Sequence, residues 1–99
     1  MSAANRRRRV LTPPADPAER QAILRAAFLA DLTFWIKNDP RVALRVMKLI
    51  DDVLRNPFSG IGKPEPLRYA PDGLWSRRIT GEHRIVYEVN PNGILFNVA

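Results

Sequence analysis

Ninety-nine residues make one domain, since two independent cores of half that size would each be marginal. A hydrophobic share of 45% and a charged share of 26% allow an ordinary globule with a modest core. The absence of cysteine excludes disulfides and thiolate metal sites and fits a reducing, cytoplasmic setting. One histidine without clustered carboxylates gives no reason to expect a metal or any other cofactor, and no apolar run is long enough to span a membrane.

The formal charge of +6 is unevenly spread, because Arg6, Arg7, Arg8 and Arg9 hold four of those charges and leave the rest of the chain near +2. Such an arm favours polyanions through counterion release, and reads as readily as a solvated tail. No hydrophobic stretch follows it, so it is not read as a secretory signal. With Thr12-Pro13-Pro14 opposing regular structure, residues 1–17 are expected to form a flexible basic extension and residues 18–99 the folded domain.

The first helical signal lies at Asp16-Pro17-Ala18-Glu19, which combines an N-cap residue, proline at the first helical position and an acid three residues after the cap. Taken with the periodicity that follows, it predicts one helix over 17–37. From residue 26 onward the pattern is firm: Phe28, Leu32, Trp35 and Ile36 form one apolar stripe. Asn38-Asp39-Pro40 then breaks and restarts the chain, with Asp39 as N-cap and Pro40 at N1. The second helix, over 40–54, puts Val42, Val46, Leu49, Ile50 and Val53 on one face and Arg41, Arg45, Lys48 and Asp52 on the other. Asn56-Pro57 ends it. Two amphipathic helices on so short a turn predict an antiparallel hairpin in need of a partner surface.

The second half supplies that surface. A Pro/Gly loop over 57–66 precedes strands expected at 67–69, 74–79, 83–89 and 94–98. Pro71-Asp72-Gly73, Thr80-Gly81-Glu82 and Asn90-Pro91-Asn92-Gly93 separate them, as in an antiparallel meander. One face packs on the helices and the other stays open. Alternation puts Ile85, Tyr87 and Val89 on one side and Arg84, Val86 and Glu88 on the other. Likewise Trp75 and Ile79 suit the core side and Ser76 and Arg78 the open side. Arg78 and Arg84 thus project from the same exposed face of neighbouring strands, an arrangement that suits an anionic partner.

RNA cleavage needs a base for the 2′-hydroxyl, cations around the phosphate and an acid for the leaving 5′-oxygen; RNA brings its own nucleophile. The candidates are Glu65 as base and Arg84 as phosphate clamp, with Arg78, Lys63 and Arg68 in support. Glu65 lies in Lys63-Pro64-Glu65-Pro66, where two prolines stiffen the backbone around the carboxylate. On spacing alone, a surface glutamate in a proline-rich loop is the commoner case. His83 is adjacent to Arg84, so alternation sends it to the opposite face, and it reads as structural. Trp35 and Trp75 read as core, with base stacking by Trp75 the weaker alternative.

Three blocks carry a family resemblance: Asn-Pro-Phe-Ser-Gly-Ile-Gly-Lys-Pro-Glu-Pro-Leu over 56–67, Gly-Leu-Trp-Ser-Arg-Arg-Ile-Thr over 73–80, and Glu-His-Arg-Ile-Val-Tyr over 82–87. In this order and spacing the sequence closely resembles the YoeB-type toxins of the RelE superfamily, over about residues 20–99. The resemblance implies an α+β, RelE-like fold: a short N-terminal strand, then a two-helix antiparallel hairpin packed on an antiparallel meander. It therefore puts a strand near 20–24, against the single helix over 17–37. It implies a ribosome-dependent, metal-independent endoribonuclease that cuts messenger RNA in the ribosomal A site and is held inactive by a cognate antitoxin. Such toxins often form homodimers. By position, Glu65 matches the family's general base, Arg84 its phosphate-stabilising arginine, and Arg78, Lys63 and Arg68 basic positions of the RNA groove. The family's general acid is a histidine in an Arg-Tyr-His-Tyr tail directly after the last strand. This sequence ends at Ala99, where that tail would begin, so the expectation is a severely impaired nuclease. Two other readings stand beside it: a non-catalytic module that binds antitoxin or ribosome, and an RNA-binding domain led by the arginine arm.

Overall fold

The structure, a computed structural model, describes residues 15–70 and 73–99. The arginine arm at Arg6–Arg9 and the first two residues of the Pro71-Asp72-Gly73 turn lie outside the described residues. The elements in chain order are a single 3-10 turn (Pro17–Glu19), β1 (Ala22–Leu24), α1 (Ala26–Asn38), α2 (Pro40–Arg55), β2 (Glu65–Pro66), β3 (Leu74–Arg78), β4 (Arg84–Asn90) and β5 (Gly93–Val98). The five strands form one mixed sheet in the order β1-β5-β4-β3-β2. β2 to β5 are antiparallel neighbours, while β1 joins the outer edge of β5 in parallel, with Ala22 opposite Ile94 and Leu24 opposite Phe96.

The helix expected over 17–37 is thereby corrected, and the conflict at its start has a physical answer. Asp16 does cap a turn: its Oδ1 accepts the Ala18 N–H at 3.0 Å, and the Glu19 N–H bonds back to the Asp16 carbonyl at 2.9 Å. That turn is a dead end. Arg20 is extended, and its guanidinium donates to the carbonyls of Leu54 and Arg55 at 2.7 and 2.9 Å. It satisfies carbonyls that the last turn of α2 leaves without intrahelical partners. The ladder from β1 to β5 outweighs a few tenths of a kcal/mol of helix propensity per residue.

α1 and α2 cover one face of the sheet. Phe28, Val46, Leu49 and Val53 from the helices meet Ile79, Ile85, Tyr87, Val89, Ile94 and Phe96 from the sheet side, with Leu24, Leu32, Trp35 and Trp75 packed around them. Phe28 sits on Phe96 at a ring separation of 5.5 Å. Complete burial of a side chain of this size stabilises by about 1.5–3 kcal/mol. Asp39 occupies the N-cap position of α2 ahead of Pro40, but its side chain makes no capping bond; its carbonyl takes the N–H groups of Val42 and Ala43 instead. Ile36, expected in the core stripe, is 56% exposed. It lies on the outer flank of the hairpin, where it lines a hollow of about 340 Å³ with Leu32, Pro40, Ala43, Leu44 and Met47. Among the described residues no helix is long and apolar enough to cross a membrane.

The strand expected at 67–69 is also displaced. Pairing with β3 occurs at Glu65 and Pro66, which face Ser76 and Trp75, after which the Leu67 N–H still bonds to the Leu74 carbonyl at 3.0 Å before the chain turns. β2 is an edge strand, where proline's missing N–H leaves no gap in a ladder. Glu65 therefore lies on the sheet and not in a free loop.

Candidate active site

The register of three strands assembles the site. Glu65 on β2 is opposite Ser76 on β3, and Arg78 on β3 is opposite Arg84 on β4. Residues two apart on a strand share a face, so Glu65, Ser76, Arg78 and Arg84 all project from the side of the sheet away from the helices. The Arg84 guanidinium lies 3.9 Å from Glu65 Oε2 and donates to Ser76 Oγ at 3.2 Å. The side chains of Arg84 and Glu65 are 37% and 58% exposed, so both are open to a ligand from solvent.

An exposed pair at that distance contributes less than about 1 kcal/mol to stability. Its geometry therefore reflects the strands beneath it more than mutual attraction. Arg78 and Arg84, like charges directly across a ladder, repel mildly. A phosphate between or beside them would remove that repulsion and take up their donors. Lys63 and Arg68 stand two residues before and three after Glu65, both exposed, with no hydrogen bond or ion pair to Glu65 or Arg84. Lys63 has a left-handed backbone (φ 52°), so the chain turns sharply just before the site. The His83 ring lies 4.8 Å from that of Trp35, on the helix side of the sheet, in an edge-on contact.

Beneath this cluster lies a group that the sequence reading missed. Arg77, between Ser76 and Arg78 on β3, points into the core and is fully buried. Its guanidinium is ion-paired with Asp52 of α2 and also donates to Tyr87 Oη (3.1 Å) and to the carbonyls of Ile61 (3.3 Å), Ser59 (2.9 Å) and Asn56. Asp52 was expected on the outer face of its helix with Arg41, Arg45 and Lys48. It stands instead at the margin of the core face, three residues from Leu49, and also accepts the Ile61 N–H at 3.0 Å. The clue was available: alternation puts Arg77 on the same side as Trp75 and Ile79, and an arginine on a core face requires an acidic partner.

Tyr87 completes the network by donating its hydroxyl to the Pro57 carbonyl at 2.7 Å. Burial pushes its pKa above the ordinary 10.0, an effect that the hydrogen bond and positive charge of Arg77 partly oppose. A group whose folded pKa is raised contributes fully below the unfolded value and loses that contribution as pH rises toward the folded one. Stability should therefore hold to about pH 10 and decline above it. Tyr87→Phe should flatten that alkaline limb in denaturant titrations at stepped pH; an unchanged limb would show that another group controls it.

The comparisons with known proteins agree with this architecture. The profile described as "YoeB-like toxin of bacterial type II toxin-antitoxin system" matches residues 24–99. The YoeB toxin of Escherichia coli K12 is 48% identical over 65 residues, which are 66% of this chain and 77% of that protein. Among solved structures, the YoeB dimer from Staphylococcus aureus superposes with a TM-score of 0.76 at 32% identity, covering 82% of this chain and 94% of that one. A heterotetrameric YoeB–YefM toxin–antitoxin complex from the same organism gives 0.72 at 32% identity, over 81% and 93% of the two chains. Two helices on one face of a mixed five-stranded sheet, with a basic open face, define a RelE-like toxin fold. Within that class the chain belongs to the YoeB-like toxin family of bacterial type II toxin–antitoxin systems.

Proposed function

We propose that residues 18–99 form an endoribonuclease domain that cuts messenger RNA in the ribosomal A site without a metal. The observation that carries this reading is the approach of Glu65 to Arg84, 3.9 Å apart and both accessible, on a face that also bears Arg78. Glu65 takes the 2′-hydroxyl proton, and the 2′-oxygen attacks the adjacent phosphorus. Arg84, held by Ser76 Oγ, stabilises the charge growing on the phosphate oxygens. Arg78, Lys63 and Arg68 hold the flanking backbone as point and fork charges. The reading entails work where ribosomes are, in the cytoplasm.

The remaining component is the acid for the 5′-oxygen. His83, engaged with Trp35 on the other side of the sheet, does not fill that role. The family resemblance assigns it to a histidine in an Arg-Tyr-His-Tyr segment following β5. The test is to append Arg-Tyr-His-Tyr to Ala99 and map cuts on translating ribosomes by primer extension. Codon-phased cuts in the A site, at least about 10²-fold faster than with the chain ending at Ala99, are expected for an added general acid. A tailed protein that leaves the message intact on ribosomes would refute the enzymatic reading.

The antitoxin is the expected protein partner, by analogy with the Staphylococcus aureus complex. The Arg78–Arg84 pair favours an acidic segment of that partner lying over the same open face. This also supports the second reading, a module that only binds. A charge reversal at Arg84 should weaken antitoxin binding if the partner covers this face, and unchanged affinity would move the antitoxin elsewhere.

A further inference from the structure

We propose that Arg77, fixed by Asp52, is a positioning residue that sets Glu65 at its working distance from Arg84, an inference that rests on the catalytic reading above. The guanidinium has five N–H donors, and its five hydrogen bonds go to Asp52, Tyr87 and the carbonyls of Asn56, Ser59 and Ile61. Three of these acceptors belong to one stretch of backbone, the connection from α2 to β2. That connection has no helix or ladder of its own over 56–64. The side-chain network holds it to the sheet, aided by the Tyr87 bond to Pro57 and the Asp52 bond to the Ile61 N–H.

The chain is shaped to fit this hub. Gly60 has φ +127°, and a Cβ there would overlap Asp52 Oδ2 and approach Arg77 Nη1 to 3.1 Å. The next anchor is the Arg78 N–H, which donates to the Gly62 carbonyl at 2.6 Å. Three consecutive residues of β3 thus grip the incoming chain: Arg77 holds 56–61, Arg78 holds Gly62, and Ser76 pairs with Glu65. Between Gly62 and Glu65 only Lys63 and Pro64 intervene, so little slack separates the buried hub from the exposed carboxylate. An apolar side chain at position 77 could fill the same volume but could not aim three carbonyls. Buried ion pairs are weak sources of stability, and here the directional bonds supply position.

The experiment uses the tailed full chain with Asp52→Asn and, separately, Arg77→Lys. Lysine keeps the charge beside Asp52 but lacks the fork that reaches the loop carbonyls. Amide hydrogen exchange would be followed at Ile61 and Arg78 as loop reporters and at Val46 and Ile85 as core reporters. Ribosomal cleavage would be measured at saturating and half-saturating ribosome concentrations. Both variants should speed loop exchange about tenfold or more beyond any change at the core reporters. Cleavage at saturation should fall by roughly 10²-fold, as expected for a displacement near 1 Å, with half-saturation unchanged. Should Arg77→Lys fail to fold, Asp52→Asn decides alone. Loop exchange at the parental rate, or undiminished cleavage from a variant with a loosened loop, would overturn the proposal. If the unsubstituted tailed chain itself cuts nothing, the catalytic reading falls. Loop exchange then decides separately whether Arg77 anchors the connection.

Discussion

Glu65→Gln in the tailed chain should lower the rate of messenger cleavage on the ribosome by about 10²- to 10⁴-fold, the range typical of a lost general base. Glutamine keeps the length and shape of glutamate, and position 65 is exposed, so fold and antitoxin binding should persist. The loss should appear in the single-turnover rate at saturating ribosomes, because the cations proposed to hold the backbone are untouched. On the proposed mechanism Arg84→Ala should be comparably damaging, since it removes the guanidinium, 3.9 Å from Glu65, that would meet the phosphate as its charge grows. If the two groups act on one transition state, the double variant should be far less impaired than the product of the single effects. Single-turnover time courses on stalled ribosomes would measure all three. Cleavage by Glu65→Gln within a few-fold of the parent would remove the carboxylate from the mechanism, whatever its distance from Arg84.

The strand near 20–24, found at Ala22–Leu24, was legible only through the family resemblance; most other agreement between sequence and structure came from repeating patterns. The hairpin of α1 and α2 followed from apolar spacing at 3.6 residues, and its break at Asp39-Pro40 from proline's place at the start of a helix. The shared open face of Arg78 and Arg84 followed from alternation at period two, while their direct pairing is set by the β3–β4 register, which alternation does not fix. Glu65 was legible as a candidate but not as a strand residue, because two ladder positions beside proline leave no periodic trace. The segment before α1 shows propensity losing to tertiary structure: Asp16 and Pro17 do initiate a turn, and pairing with a strand some seventy residues later ends it. The parallel sense of that pairing has no local signature. Arg77 was hidden by its neighbours. In Trp-Ser-Arg-Arg-Ile, two adjacent arginines look like one basic patch, yet alternation sends one to solvent and the other beneath the sheet.

That hidden arginine carries the largest expected effect on stability. Arg77→Met should destabilise the protein by about 3–5 kcal/mol, the usual result of removing one member of a buried ion pair. The guanidinium is wholly buried and Asp52 largely so, and among the described residues no buried side-chain nitrogen or oxygen lacks a partner. Methionine fills much of the space but leaves Asp52 facing an apolar side chain and deprives Tyr87 Oη of a donor. The carbonyls of Asn56 and Ser59 belong to exposed residues and can turn to water, so they account for less of the loss. Against a total stability of about 5–15 kcal/mol for a domain of ordinary stability, the variant would be marginal, with a melting temperature lower by roughly 12–40 °C. Adding Asp52→Leu should restore much of this, because the stranded carboxylate is the dominant penalty. It should not restore all, since Tyr87 and the Ile61 N–H remain without their partners. Thermal and denaturant unfolding of the single and double variants would separate these contributions. A single variant within about 1 kcal/mol of the parent would mean that water enters the site to replace the guanidinium, and that the ion pair is less secluded than its burial implies.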